Sequence, residues 1–226
     1  MENKRVGILG GSFDPPTLAH EQLGKVFLEA LNLDEVRYVL ARQNPLKTHD
    51  AVGSTYHRWK MLMMMIDGHE KFSASNIEIQ DEQIYGLEGK LVNCREPVPS
   101  YAYNTLKAFE LMEPHTEFIF LGGSDILKNF YQWHQADHLI EEFKIGIAIR
   151  PPYSLTATIS PVKEEHRSNV TIFDRPPMPD MSSTDIRSHF ENFKIEHAKS
   201  LMRPDIFDYV VRNRIYEIPH RDIVRE

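Results

Sequence analysis

Gly10-Gly11-Ser12-Phe13-Asp14-Pro15-Pro16-Thr17-Leu18-Ala19-His20 is the stretch on which the fold turns. A short apolar run, Val6-Gly7-Ile8-Leu9, precedes it, and Ala19, Leu23, Val26, Phe27 and Ala30 follow at a helical period. The order is strand, glycine turn, helix. Two glycines let a ligand approach the backbone closely. The helix behind them points unpaired N–H groups and the positive end of its dipole at the turn. In an α/β fold such a place receives a phosphate. Thr17 and His20 stand three residues apart on one face of the first helical turn, and each can offer a proton to a phosphate oxygen. The plainer alternative is a capping threonine and an ordinary surface histidine.

Outward from this unit, apolar runs and helical periods alternate. Strands are predicted at 36–40, 72–79, 117–121, 144–149 and 170–173. Helices are predicted at 56–66 and after Ser100, which can cap a turn leading to Leu106, Phe109 and Met112. Residues 117–121 are almost wholly apolar, as central parallel strands are. The Met63-Met64-Met65 run reads as core filler. The expectation is an α/β, doubly wound parallel sheet with a small C-terminal helical part. One domain is expected over 1–226, with 80–99 a surface insertion that a hairpin would suit and 182–226 the helical part. A mobile, Pro-rich, charged connection is expected over 151–167. Ligands in such sheets bind at the carboxyl ends of the strands, where Gly10, Asn44, Gly122 and Arg150 fall.

Composition narrows the function classes. The chain has 226 residues, a net charge of −7 and a single cysteine, Cys94. A mildly acidic surface speaks against nucleic-acid and anionic-membrane partners. One cysteine allows no internal disulfide and suits a reducing compartment. With no signal-peptide pattern and no membrane-length apolar run, a cytoplasmic protein is expected. The dinucleotide fingerprint and the P-loop are both absent. A homo-oligomer is left open.

A second anion site is written near the other end of the chain. Ser182-Ser183-Thr184-Asp185-Ile186-Arg187 opens a helix with good cap residues, and the Arg187 fork can reach an anion at the helix start. A well-capped helix without ligand is the alternative.

Together these motifs resemble the nucleotidylyltransferase superfamily. The first stretch is similar to its signature G-G-[ST]-F-D-P-x-[HT]-x-G-H, with Thr17 where the nicotinate-nucleotide branch usually has histidine and Ala19 in place of glycine. The hexapeptide at 182–187 is similar to its S-S-T-x-I-R motif. The resemblance implies an ATP site of Gly10, Gly11, Ser12, Phe13, His20, Ser182, Ser183, Thr184 and Arg187, with His20, Thr17 and Arg187 serving the chemistry. Other segments resemble the nicotinate mononucleotide adenylyltransferase branch: Asn44-Pro45-Leu46-Lys47 followed by His57-Arg58 and Met61; Pro99-Ser100-Tyr101-Ala102, with alanine where threonine is usual; and Gly122-Gly123-Ser124-Asp125 followed by Trp133. They imply acceptor contacts from Lys47, Tyr101, Ala102, Asp125, Trp133 and Arg150. The implied reaction joins ATP to a pyridine mononucleotide with release of pyrophosphate. It is served by Mg2+ held mainly by substrate phosphates, and Asp14 either reaches that ion through water or shapes the turn. Nicotinamide mononucleotide as acceptor, phosphopantetheine adenylyltransferase or cytidylyltransferase activity, and a noncatalytic nucleotide sensor are the alternatives.

Overall fold

The structure, a computed structural model, describes residues 3–42, 51–79, 84–85, 91–92, 100–149, 153–174 and 181–216. Six parallel strands form the main sheet: β1 (Lys4–Gly11), β2 (Glu35–Leu40), β3 (Phe72–Ser75), β6 (Thr116–Gly123), β7 (Lys144–Ala148) and β8 (Val170–Phe173). Their order is β3-β2-β1-β6-β7-β8. Between β3 and β6 in the chain, β4 (Ile84–Tyr85) and β5 (Leu91–Val92) pair antiparallel as a separate two-stranded sheet.

Side chains along the central strands alternate between two cores, as the period-two pleat requires. Val6, Ile8, Phe118 and Phe120 face one layer, with α3 (Ala102–Met112) and α4 (Ala136–Glu142). Leu9, Ile119 and Leu121 face the other, with α1 (Leu18–Ala30) and α2 (Thr55–Ile66). That second core also takes in Phe190, Ala198, Met202, Ile206 and Val210. These belong to α6 (Ser183–Glu191), α7 (Ile195–Ser200), α8 (Pro204–Asn213) and the link between them. The C-terminal helices therefore share a core with the sheet.

Three expectations need correction. The third strand ends at Ser75, four residues early, because Asn76–Ile79 turns: Ser75 Oγ accepts from the Ile77 N–H and the Ile79 N–H bonds the Asn76 carbonyl. Ser100 caps nothing; Tyr101 is the N-cap of α3, and Ser100 Oγ accepts from the Arg42 N–H at 3.0 Å. The described part of the 151–167 connection is ordered as α5 (Leu155–Ile159) and the start of a 3-10 turn (Glu164–Asn169), pinned where Tyr131 meets the Lys163 N–H and the buried His166 ring. Of the methionine run, Met65 is buried, while Met63 is 42% exposed.

The chain runs outward from β1 to β2 and β3, then returns to place β6 on the other side of β1. The carboxyl ends of β1 and β6 thus flank the switch point, where such sheets open a crevice.

Candidate active site

Two helix starts meet at the end of β1. The first belongs to α1. Thr17 is its N-cap and is 2% exposed, and its Oγ1 accepts from the His20 N–H at 3.3 Å. The His20 ring completes the box: its Nδ1 accepts from the Thr17 N–H at 2.9 Å and also meets the Thr17 hydroxyl. A neutral imidazole that accepts at Nδ1 carries its proton on Nε2. The hydroxyl expected to reach a phosphate is occupied with the cap and the ring.

The second start belongs to α6. Ser182 is its N-cap, boxed with Asp185: the carboxylate accepts from the Ser182 N–H (2.8 Å) and hydroxyl (2.6 Å). The next donors reach across the molecule. Ser183 Oγ donates to the Pro15 carbonyl at 2.7 Å, and Arg187 Nη1 donates to the Asp14 carbonyl at 2.6 Å. Arg187 Nη2 bonds Thr184 Oγ1, 3.2 Å away. Residues separated by more than 160 positions therefore close on one turn.

The turn itself is unusual. Phe13 adopts φ +45°, a left-handed conformation that costs a bulky residue about 1–3 kcal/mol. Its ring is buried edge-on against His20 (5.1 Å) and Tyr38 (5.9 Å). It also lies over Gly11, where a Cβ would meet it at 3.0 Å. At Gly10 a Cβ would touch nothing within 4 Å, so glycine there keeps open space above the strand end.

That space is a cavity of about 360 Å³, lined by Gly10, Gly11, Ala41, Tyr101, Ala102 and Trp133 among others. Trp133 packs on Phe120 (5.7 Å) and Phe130 (5.6 Å), and its buried Nε1 has no hydrogen-bond partner among the described residues. Tyr101 stacks on His134 at 4.3 Å. The start of α3 borders the cavity, and its N-cap Tyr101 makes no side-chain cap hydrogen bond.

Sequence reasoning missed several parts of this wall, His134 and Glu78 among them. Glu78 accepts from the Thr105 hydroxyl, and burial pushes its carboxyl up despite that bond and one from Ser100. The alternation Ile77-Glu78-Ile79 read as strand, which hid the turn that carries the carboxylate inward. Asp125 is exposed beyond β6 and does not line the cavity. Lys47 and Arg150 lie outside the described residues.

The Asp14 carboxylate is turned into the fold. It is 3% exposed and accepts from the Val52 and Gly53 N–H groups and the Tyr216 hydroxyl. Among the described residues no three His, Cys, Asp or Glu side chains converge to hold an ion.

Residues 8–189 match the family described as cytidylyltransferase-like. A protein named "Probable nicotinate-nucleotide adenylyltransferase" from Geobacillus kaustophilus (strain HTA426) is 32% identical over 151 residues, 67% of this chain and 63% of its own length. One of the same name from Oceanobacillus iheyensis is 31% identical over 214 residues, covering 94% of this chain and 97% of its own. Among solved structures, Plasmodium falciparum nicotinic acid mononucleotide adenylyltransferase complexed with NaAD superimposes with a TM-score of 0.74 at 21% identity, over 96% of this chain and 100% of that one. At that identity the likeness is one of fold.

Proposed function

The chain belongs to the cytidylyltransferase-like family, and from that premise we propose that it joins ATP to nicotinate mononucleotide, giving deamido-NAD and pyrophosphate. One observation carries the reading: the starts of α1 and α6 are fastened to the same turn, through Ser183 on Pro15 and Arg187 on Asp14, beside the cavity at the switch point. Two helix N-termini facing one place favour a polyanion there.

In the proposed reaction an oxygen of the mononucleotide phosphate attacks the α-phosphorus of ATP, and the bond to the β-phosphate oxygen breaks. The nucleophile is already an anion, so no general base is needed. The protein aligns the two substrates and meets the charge that builds on the phosphates. His20 donates from Nε2, and Arg187 holds the triphosphate end with guanidinium N–H groups beyond those on Asp14 and Thr184, while Ser183, its hydroxyl proton on Pro15, offers its backbone N–H. Thr17 acts through His20, fixing its tautomer and ring. Mg2+ would arrive with the triphosphate and be held by phosphate oxygens and water, since Asp14 is already fully engaged.

The acceptor occupies the cavity, with its ring against Trp133. The uncapped start of α3 favours an acceptor carrying a carboxylate over its amide. Pyrophosphate release should be measured with ATP and, in turn, nicotinate mononucleotide, nicotinamide mononucleotide, phosphopantetheine and glycerol phosphate. The nicotinate form should react fastest. Faster release with either of the last two would contradict the assignment.

A further inference from the structure

Three buried groups outside the cavity converge on the turn that ends β1. Arg58, in α2, is 2% exposed and uses all five of its N–H groups. Nε donates to the Gly53 carbonyl (3.1 Å). Nη1 donates to the carbonyls of Ser12 (2.9 Å) and Ala41 (2.8 Å), and Nη2 to the Arg42 carbonyl (3.3 Å) and Thr55 Oγ1 (3.3 Å). The Asp14 carboxylate accepts from the N–H groups of Val52 (2.8 Å) and Gly53 (2.9 Å) and from the Tyr216 hydroxyl (2.9 Å). Gly53 is thus gripped at its N–H by Asp14 and at its carbonyl by Arg58. A Cβ there would come within 2.7 Å of Asp14 Oδ1. Burial, with Asp14 beside it, pushes the Tyr216 phenol far above its usual range, so the hydroxyl remains a donor.

Phe13, with its left-handed backbone, lies between these supports. Arg58 holds the carbonyl before it, on Ser12. After it, Asp14 is held by its carboxylate and, through Arg187, by its carbonyl. A strained residue persists only where its surroundings over-determine it, and such strain gathers where a ligand must be met by a pre-set backbone. A buried arginine spent on four main-chain carbonyls fits that task, because its planar fork fixes several peptide groups at once.

We propose that Arg58, Asp14 and Tyr216 are positioning residues that hold the 10–15 turn in its ATP-binding shape, with the Tyr216 hydroxyl adding to the hold that Ser183 and Arg187 of the C-terminal part already have on it. This rests on the turn being the nucleotide site. None of the three touches substrate; each acts through the backbone of Ser12 to Pro15. The network is centred on the nucleotide side, so its loss should be felt in ATP binding before acceptor binding.

The test is calorimetric titration of ATP and, separately, of nicotinate mononucleotide into the wild type, Tyr216→Phe and Arg58→Lys, with melting temperatures recorded for each. Tyr216→Phe keeps the ring on Phe190 (5.7 Å) and loses only the hydroxyl, so it should fold. Its ATP affinity should fall at least fivefold and its mononucleotide affinity change less than twofold. Arg58→Lys should weaken ATP further. Unchanged ATP binding in Tyr216→Phe, or an equal loss for both ligands, would overturn the positioning role. A wild type that binds no ATP would instead overturn the nucleotide reading beneath it.

Discussion

α1 and α6 both begin with a capping box, Thr17 with His20 in one and Ser182 with Asp185 in the other. In α6 the reciprocal partner is a carboxylate, which can only accept, so the box closes on itself. The donors of that helix start are Ser183 and Arg187, and both are fastened to the carbonyls of the opposite turn. In α1 the partner is an imidazole. Accepting at Nδ1 places its proton on Nε2, so the cap itself creates an oriented donor. In the proposed reaction the same local motif would thus supply chemistry at one helix and a brace at the other.

The difference can be broken most sharply at His20. His20→Ala should lower kcat about 100-fold or more, as removal of a transition-state donor does, with the ATP KM little changed in steady-state assays. A loss confined to KM would make α1 a brace as well. Arg187→Ala should lower kcat/KM for ATP about 10-fold, mostly through KM, because the bond it removes carries a charge and fixes the turn. A kcat loss as large as that of His20→Ala would erase the distinction between the helices.

Smaller effects sharpen it. Thr17→Val removes the capping hydroxyl but keeps the N–H that orients His20. It should cost about 1 kcal/mol of stability, a drop in Tm of about 2–4 °C, and change kcat only about threefold; calorimetry and kinetics on one preparation check both. Glu35, at the opposite end of the sheet, is the control. Burial alone would push its carboxyl up, but hydrogen bonds from Arg37, Lys4 and Ser73 outweigh this and hold it at about 2, below its ordinary 4.5. Since the folded value is the lower one, this contribution is present above pH 4.5 and is lost as pH falls toward 2. Glu35→Gln should therefore flatten the acid-unfolding curve in that range and leave turnover at neutral pH unchanged.

The strand at 117–121 was legible because a buried parallel strand is written as an apolar run, and 170–173 because its β-branched and aromatic residues suit an edge strand. The two helix starts were legible because cap residues and glycines sit at fixed offsets. What stayed hidden depends on distant partners. Ser100 has the character of a cap, yet its hydroxyl serves the Arg42 N–H, 58 positions away. In a strand Ile77 and Ile79, two apart, would share one core; they pack into opposite cores because the backbone between them turns. α5 has five residues, too few for a helical period to show. The burial of Asp14 and Arg58 is not written in their residue types, and only the assembled fold supplies the peptide groups that allow it.

The most direct test is a crystal structure of the protein with a non-hydrolysable ATP analogue. The triphosphate should lie over the Gly10–Pro15 turn, with oxygens within hydrogen-bond distance of both His20 Nε2 and the Arg187 guanidinium. A triphosphate held by only one of them, or bound away from that turn, would contradict the shared grip of the two helices.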